Sequence, residues 1–395
     1  MSCRDPIVAK RVRSLQIWPC VFQNLSTAHP PILRRERFQS SLSGFLANHL
    51  YFLKHSKRRS ESNPQGTLEG HHWQKHPAAD EVKKAFLDTV ARFVGVTEFR
   101  IESHRHAYDR TSLPFLAAVW PVVGSNLRVL SMHMPLSKLC TIISSALGLD
   151  QLQELDIALK AEDLWPSANQ PNSLIIEILG PFINRLNLTL RSFTIASSAH
   201  MDLSVFFDSL GHFPRLTKLA ILVPFDFIHL SDTSGINRLL SVNDTLQHLI
   251  FRPRDCCRPF KYKSTGSVVE TWIKQSFPDV VLAKLHTMEV GLNFIPGTLD
   301  TMMVHLGRFA DTLSSLILMD RSLTYHEVEM AISPFANRSA GLRSLSLFVR
   351  TLSPQLVDLL ANKLPKLHKL ELSIDKVVGI EGIDPPINQE VSSVI

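Results

Sequence analysis

The sequence predicts an α/β solenoid, with parallel β-strands on a concave face and helices on the convex face. A six-residue phrase, L-x-x-L-x-L with leucine-type residues at positions one, four and six, recurs about eleven times. Helical periodicity fills the gaps between the phrases. The clear copies start 25 to 39 residues apart, which leaves room for one strand, one helix and two turns.

Taken in order, the clear phrases are Leu127–Met132, Leu152–Ile157, Leu190–Ile195, Leu216–Ile221, Leu246–Phe251, Leu285–Val290, Leu313–Leu318, Leu342–Leu347 and Leu367–Leu372. Weaker copies stand at Val12–Ile17 and Val96–Ile101. Three intervening segments show the clearest helical spacing. In 137–147 the apolar residues are Leu139, Ile142, Ile143, Ala146 and Leu147; similar stripes run through 298–313 and 353–364. Ser137, Ser204, Thr298, Thr324 and Ser353 each precede such a stripe and are predicted N-caps, with Pro354 at a first helical position. Pro214 and Pro365 are predicted to close helices ahead of the next phrase. Helix, turn, strand, turn as the repeated unit requires a parallel sheet. Segments 158–173 and 252–265 are read as loops inserted after their strands.

The expected organisation is a basic N-terminal segment over 1–79, a solenoid over 80–377 and a tail over 378–395. The first segment is read as a strand at 12–17, a helix at 40–53 and a mobile linker at 54–77. A chain that is 45% hydrophobic and 20% charged is not disordered throughout. Charge is unevenly placed: residues 1–76 carry 12 Lys/Arg against 4 Asp/Glu, and the remainder 30 against 32. A near-neutral body argues against nucleic acid as a partner. The five cysteines (Cys3, Cys20, Cys140, Cys256 and Cys257) form no CxxC pair, which suits a reducing compartment. The N-terminus shows no apolar signal core, and the longest near-apolar run, 113–124, is about half a membrane span and holds two prolines. A cytoplasmic or nuclear protein without membrane contact is expected, with the sequons at Asn24, Asn187, Asn243 and Asn337 as chance matches.

Side chains on a strand alternate between faces, so the positions between the leucines point away from the core. These give the candidate binding residues: Arg128, His133, Glu154, Asp156, Lys218, His248, Arg252, Glu289, Arg343, Lys369 and Glu371. Read strand by strand they are mixed in charge, which suits a protein or peptide partner. No catalytic residue, metal ligand or cofactor is expected. The zinc-like start His326-Glu327 lacks its second histidine, since Met330 stands there. His71, His72 and His76 have no Cys or carboxylate at ligand spacing, and no G-x-S-x-G or Walker loop occurs. The basic run Lys57-Arg58-Arg59 is read as a solvated charge cluster.

The phrases with helices between them resemble leucine-rich-repeat proteins over roughly 82–375. The ninth repeat position, where that family ladders Asn or Cys, holds Pro135, Lys160, Ser198, Pro224, Arg254, Asn293, Arg321, Arg350 and Asp375, so only Asn293 matches. Irregular repeats of this kind are similar to the substrate-recognition region of fungal F-box proteins, with AKRVRSLQIWP at Ala9–Pro19 and the stretch Val223–Arg254 carrying the likeness. The resemblance implies a ubiquitin-ligase adaptor that reaches a cullin through the Skp adaptor and holds a target on its concave face. The F-box opening L-P-x-E does not precede Val12, so the likeness covers the repeats alone. A regulator of a GTPase or nuclease, and a free-standing scaffold, are the alternatives.

Overall fold

Leucine-type side chains at matching phrase positions set the register of every strand pair that follows. The computed structural model describes residues 11–17, 79–103, 118–161, 170–252, 272, 280–292 and 299–377, less 147, 227, 337, 339 and 340. Eleven parallel strands hydrogen-bond in chain order, and the chain divides into two compact units, Met1–Asp156 and Ile157–Ile395. The fold is an α/β leucine-rich-repeat solenoid, as the phrase predicts.

The first unit holds β1 (Ser14–Ile17), β2 (Glu98–Glu102), β3 (Val129–Met134) and the start of β4 (Glu154–Leu159). Position four runs in register as Leu15, Phe99 and Leu130, and position six as Ile17, Ile101 and Met132. All six side chains are buried. Trp120 packs edge-on to Phe99 at 5.8 Å between ring centroids, and its indole N–H donates to the Ile142 carbonyl at 2.8 Å. That bond satisfies the one polar atom the ring carries into the core.

The second unit holds the rest of β4 with β5 (Ser192–Ser197), β6 (Lys218–Leu222), β7 (His248–Phe251), β8 (Thr287–Gly291), β9 (Ser315–Leu323), β10 (Ser344–Leu352) and β11 (Lys369–Val377). Position four is again continuous: Phe193, Leu219, Leu249, Met288, Leu316, Leu345 and Leu370. Phe225, Phe251 and Trp272 form an aromatic cluster with centroids 5.2 to 6.0 Å apart.

A repeated backbone bond pattern joins the repeats at the strand starts, seven positions before the ninth position where the family ladders asparagine. At nine strand starts the carbonyl of position two accepts from the N–H groups of positions two and three of the next phrase. Arg191 O receives Thr217 N and Lys218 N at 2.8 and 3.0 Å, and the same pair of bonds recurs at Thr217, Gln247, His286, Ser314 and Arg343. In the first unit Arg13, Thr97 and Arg128 do the same. Because the backbone supplies these bonds, the side chain at position two stays free to vary.

Asparagines serve on the helix side instead. The Asn184 side chain accepts from Gly211 N and donates to Ser209 O, both at 2.8 Å. Asn243, fully buried, accepts from Phe213 N at 2.8 Å and donates to Leu239 O. A side chain buried in that way is no glycan acceptor in the folded protein.

Helix starts differ from expectation at two positions. The helix α1 (Leu136–Ile143) begins before Ser137, with extended Pro135 at its N-cap and no side-chain cap. Ser204 lies inside α2 (Ser204–Ser209), and the Asp202 carboxylate accepts its N–H at 2.9 Å. Thr324 and Ser353 do cap α3 (Tyr325–Ile332) and α4 (Pro354–Lys363), the former through a full capping box with Glu327. Thr298 lies outside the described residues. Segment 158–173 is not wholly loop: Ala158 and Leu159 complete β4, and Gln170–Leu174 opens a helix. The helix predicted at 40–53, the linker, the tail, residues 253–265, Asn293, the basic run at 57–59 and the histidines at 71–76 lie outside the described residues. Among the described residues no helix is long and apolar enough to cross a membrane.

Candidate functional site

Strand register decides which outward side chains meet, and it sorts them differently in the two units. In the first unit the outward positions are Ser14, Glu98 and Val129, then Gln16, Arg100 and Ser131, then Glu102 beside His133. Arg100 pairs with Glu98 on its own strand at 2.5 Å. Ser131, His133 and Asp156 converge further along. The Ser131 hydroxyl donates to Asp156 Oδ2 at 2.9 Å, and His133 Nε2 meets the same oxygen at 2.9 Å. With Nε2 donating to the carboxylate, the ring offers Ser131, at 3.2 Å, no lone pair to take its proton. The cluster is thus a hydrogen-bonding corner and not a nucleophile with its base. Arg128 and Glu154 stand exposed at the strand starts beside it, Arg128 one residue ahead of β3.

In the second unit, the strand-by-strand impression of mixed charge gives way to rows. Positions two and three of its seven phrases, β5 to β11, hold Arg, Lys, His, Gln, Ser and Thr, and no Asp or Glu. Arg191, Lys218, His248, His286, Arg343 and Lys369 are exposed there. Lys218 and His248 are register partners on β6 and β7. Burial, then the charge of Lys218 and of His286, pushes the His248 pKa down. Lys369 pairs with Glu371 at 2.9 Å on the same strand. Arg343 sits one residue ahead of β10.

Further along the same face, positions five and seven mix apolar residues with Thr194, Ser346, Ser373 and the charged Arg252, Glu289 and Glu371. Ile250, Ile317, Met319 and Phe348 are half-buried there, and Ala220 is buried. Among them sits an ionic clamp that spans three strands. Arg252, just past β7, donates from Nη2 to Asp320 Oδ1 at 2.8 Å and from Nη1 to Glu289 Oε1 at 3.1 Å. The Asp320 hydrogen bond, against some burial, raises the Arg252 pKa and keeps it charged.

Asp320 comes from a bulge in β9: Leu318 and Leu323 pair with Leu347 and Val349 of β10, so β9 carries three extra residues. Its φ is +73°. Between it and Arg252 lies Gly291, where a Cβ would stand 2.5 Å from Asp320 Oδ2 and 3.3 Å from the Arg252 Cα. Glycine there leaves room for the carboxylate to cross β8. Sequence reasoning named Arg252 and Glu289 but missed Asp320 and Gly291, because 68 residues separate Asp320 from its arginine.

A second cluster that the sequence reading passed over links adjacent helix starts. The Asp202 carboxylate accepts from Ser204 N and Ser231 N, and from the Ser231 hydroxyl. Burial works against its charge, but the bonds from Ser204 and Ser231 outweigh it and hold the carboxyl below its ordinary range. Asp226 is held low in the same way, with burial opposed by His229 at 2.6 Å. On α3, burial likewise opposes the Thr324 hydrogen bonds and the Arg321 charge that lower Glu327.

No family model matches the chain, and no curated protein matches it. Similar solved structures have low identity. The leucine-rich-repeat-containing protein LegL7 of Legionella pneumophila is 9% identical, with a TM-score of 0.41 over 74% of this chain and 79% of that one. A protein from Bacteroides fragilis is 13% identical, with a TM-score of 0.38 over 84% and 83%. A chain of the Rad7 and Elc1 complex in yeast is 16% identical, with a TM-score of 0.33 over 86% of each.

Proposed function

We propose that the chain is a non-enzymatic protein-interaction module whose outward sheet faces recognise a protein target. The observation that carries this reading is the second unit's outward face, where half-buried apolar side chains lie next to fixed charges on rigid, hydrogen-bonded strands. Apolar anchors with a charged surround are what a protein partner needs. Following the F-box resemblance of the repeats, the role is substrate recognition for a ubiquitin ligase reached through the Skp adaptor and a cullin. The mechanism is proximity: a held target raises the effective concentration of its lysines near the transfer machinery.

The test is affinity purification of the tagged chain from its native cells, blotted for the Skp adaptor and cullin. Co-purification is the expected result. Loss of both, with the chain folded by circular dichroism, removes the ligase role and leaves a free-standing recognition module.

A further inference from the structure

We infer that the second unit's outward face binds an extended peptide of alternating acidic and apolar residues. The inference rests on the interaction reading above and names its ligand. Its first observation is the row at the strand starts, where six of seven successive strands present a cation or a histidine, β9 presents Ser314 and Ser315, and none presents a carboxylate. The preceding turns add exposed Arg215, Lys284 and Lys366 against Asp244 and Asp311, and Asp311 is paired with Arg338 at 3.4 Å. No register partner of Lys218 or His248 is a carboxylate: Lys218 faces Ser192 and His248, and His248 faces Lys218 and Thr287. The first unit, built on the same phrase, places Glu98 and Glu154 at the corresponding position three. A row without carboxylates on all seven strands, where the first unit carries Glu98 and Glu154, is explained by an anion that lies along it.

The second observation is the apolar strip of Ile250, Ile317, Met319 and Phe348, crossed at β8 by Glu289, which pairs with Arg252. It lies on the same face, two to five residues further along the strands, so roughly 7–17 Å from the row at the usual rise. Seven strands at the usual spacing span roughly 29 Å, the reach of about nine extended residues. In such a peptide, side chains alternate, so one set meets the cations while the other meets the strip. Nucleic acid fits less well, because Phe348 is the sole ring in the strip on which a base could stack.

The experiment is fluorescence anisotropy of labelled nine-residue peptides against the full chain. The probes are an alternating Glu/Leu peptide, its Gln/Leu and Glu/Ser counterparts, and a nine-nucleotide single strand of DNA. The Glu/Leu peptide is expected to bind, each counterpart about ten-fold more weakly, and a rise from about 50 to about 300 mM salt to weaken it further. The double reversal Lys218→Glu with Arg343→Glu should cost about ten-fold, while Arg92→Glu in the first unit changes nothing. Absence of binding, equal binding of the Gln/Leu peptide, or indifference to the double reversal would overturn the inference. So would DNA binding tighter than the peptide and lost on the same reversal, which marks a nucleic-acid face. A chain that keeps its cellular protein partner through the double reversal sinks this inference alone. A chain that binds the peptide yet recovers no adaptor sinks the ligase reading alone.

Discussion

Asp320 holds a backbone conformation that costs an L-residue about 1–2 kcal/mol, and the Arg252 pair offsets that cost. Two replacements separate the terms. Asp320→Gly loses the ion pair but relaxes the φ of +73°; Asp320→Ala loses the pair and keeps the strain. Urea unfolding should find the Ala variant less stable than the Gly variant by about 1 kcal/mol. Gly291→Ala should destabilise by about 1–3 kcal/mol, because its Cβ meets Asp320 Oδ2. Equal stability of the Ala and Gly variants would remove the role assigned to the bulge.

The depressed carboxylates give the residue scale its pH dependence. Asp202 has a folded pKa below its unfolded value, so its stabilisation is fully present above about pH 4 and is lost as pH falls through the folded value. The stability gap between the wild type and Asp202→Asn should therefore be constant from pH 7 to about 5 and close below about 4. His248 is also depressed, so the folded state disfavours its charge. His248→Gln should gain on the wild type as pH falls below about 6.5. A gap that ignores pH in either variant contradicts the assigned cause.

At the scale of elements, most strands were legible because buried leucines at positions one, four and six are themselves the register marks. Caps were legible only where the polar residue directly precedes the helix. Thr324 has Glu327 three residues on and closes a capping box, and Thr324→Ala should cost about 1 kcal/mol in thermal or urea unfolding. Ser137 misled because the helix had already begun at Leu136, and Ser204 because Asp202, two residues earlier, takes the capping bond. The bonds that join successive strand starts belong to backbone carbonyls, on which side-chain identity carries no information. The Arg252–Asp320 clamp was illegible for another reason: it needs a bulge, a glycine and two strands brought together from distant sequence.

At the scale of the whole molecule, repetition turns single positions into rows. A histidine or lysine between two leucines says little alone. Stacked over β5 to β11, with serines alone at β9, such residues become a carboxylate-free line beside half-buried apolar side chains. The candidate residues were thus readable one at a time, whereas their sorting by charge required the register. The two units sort their outward positions differently on one phrase, so any recognition is expected to differ between them.

Site-specific photo-crosslinking in native cells is the direct test of the proposal that the outward sheet face of the second unit meets a protein partner. A photoreactive residue at Ile317 or Phe348, on the face, is compared with one at Val357, exposed on α4 of the helical side. Adducts from Ile317 and Phe348 with none from Val357 are the predicted result. Adducts from Val357 alone, or equal yields from both sides, would contradict the account.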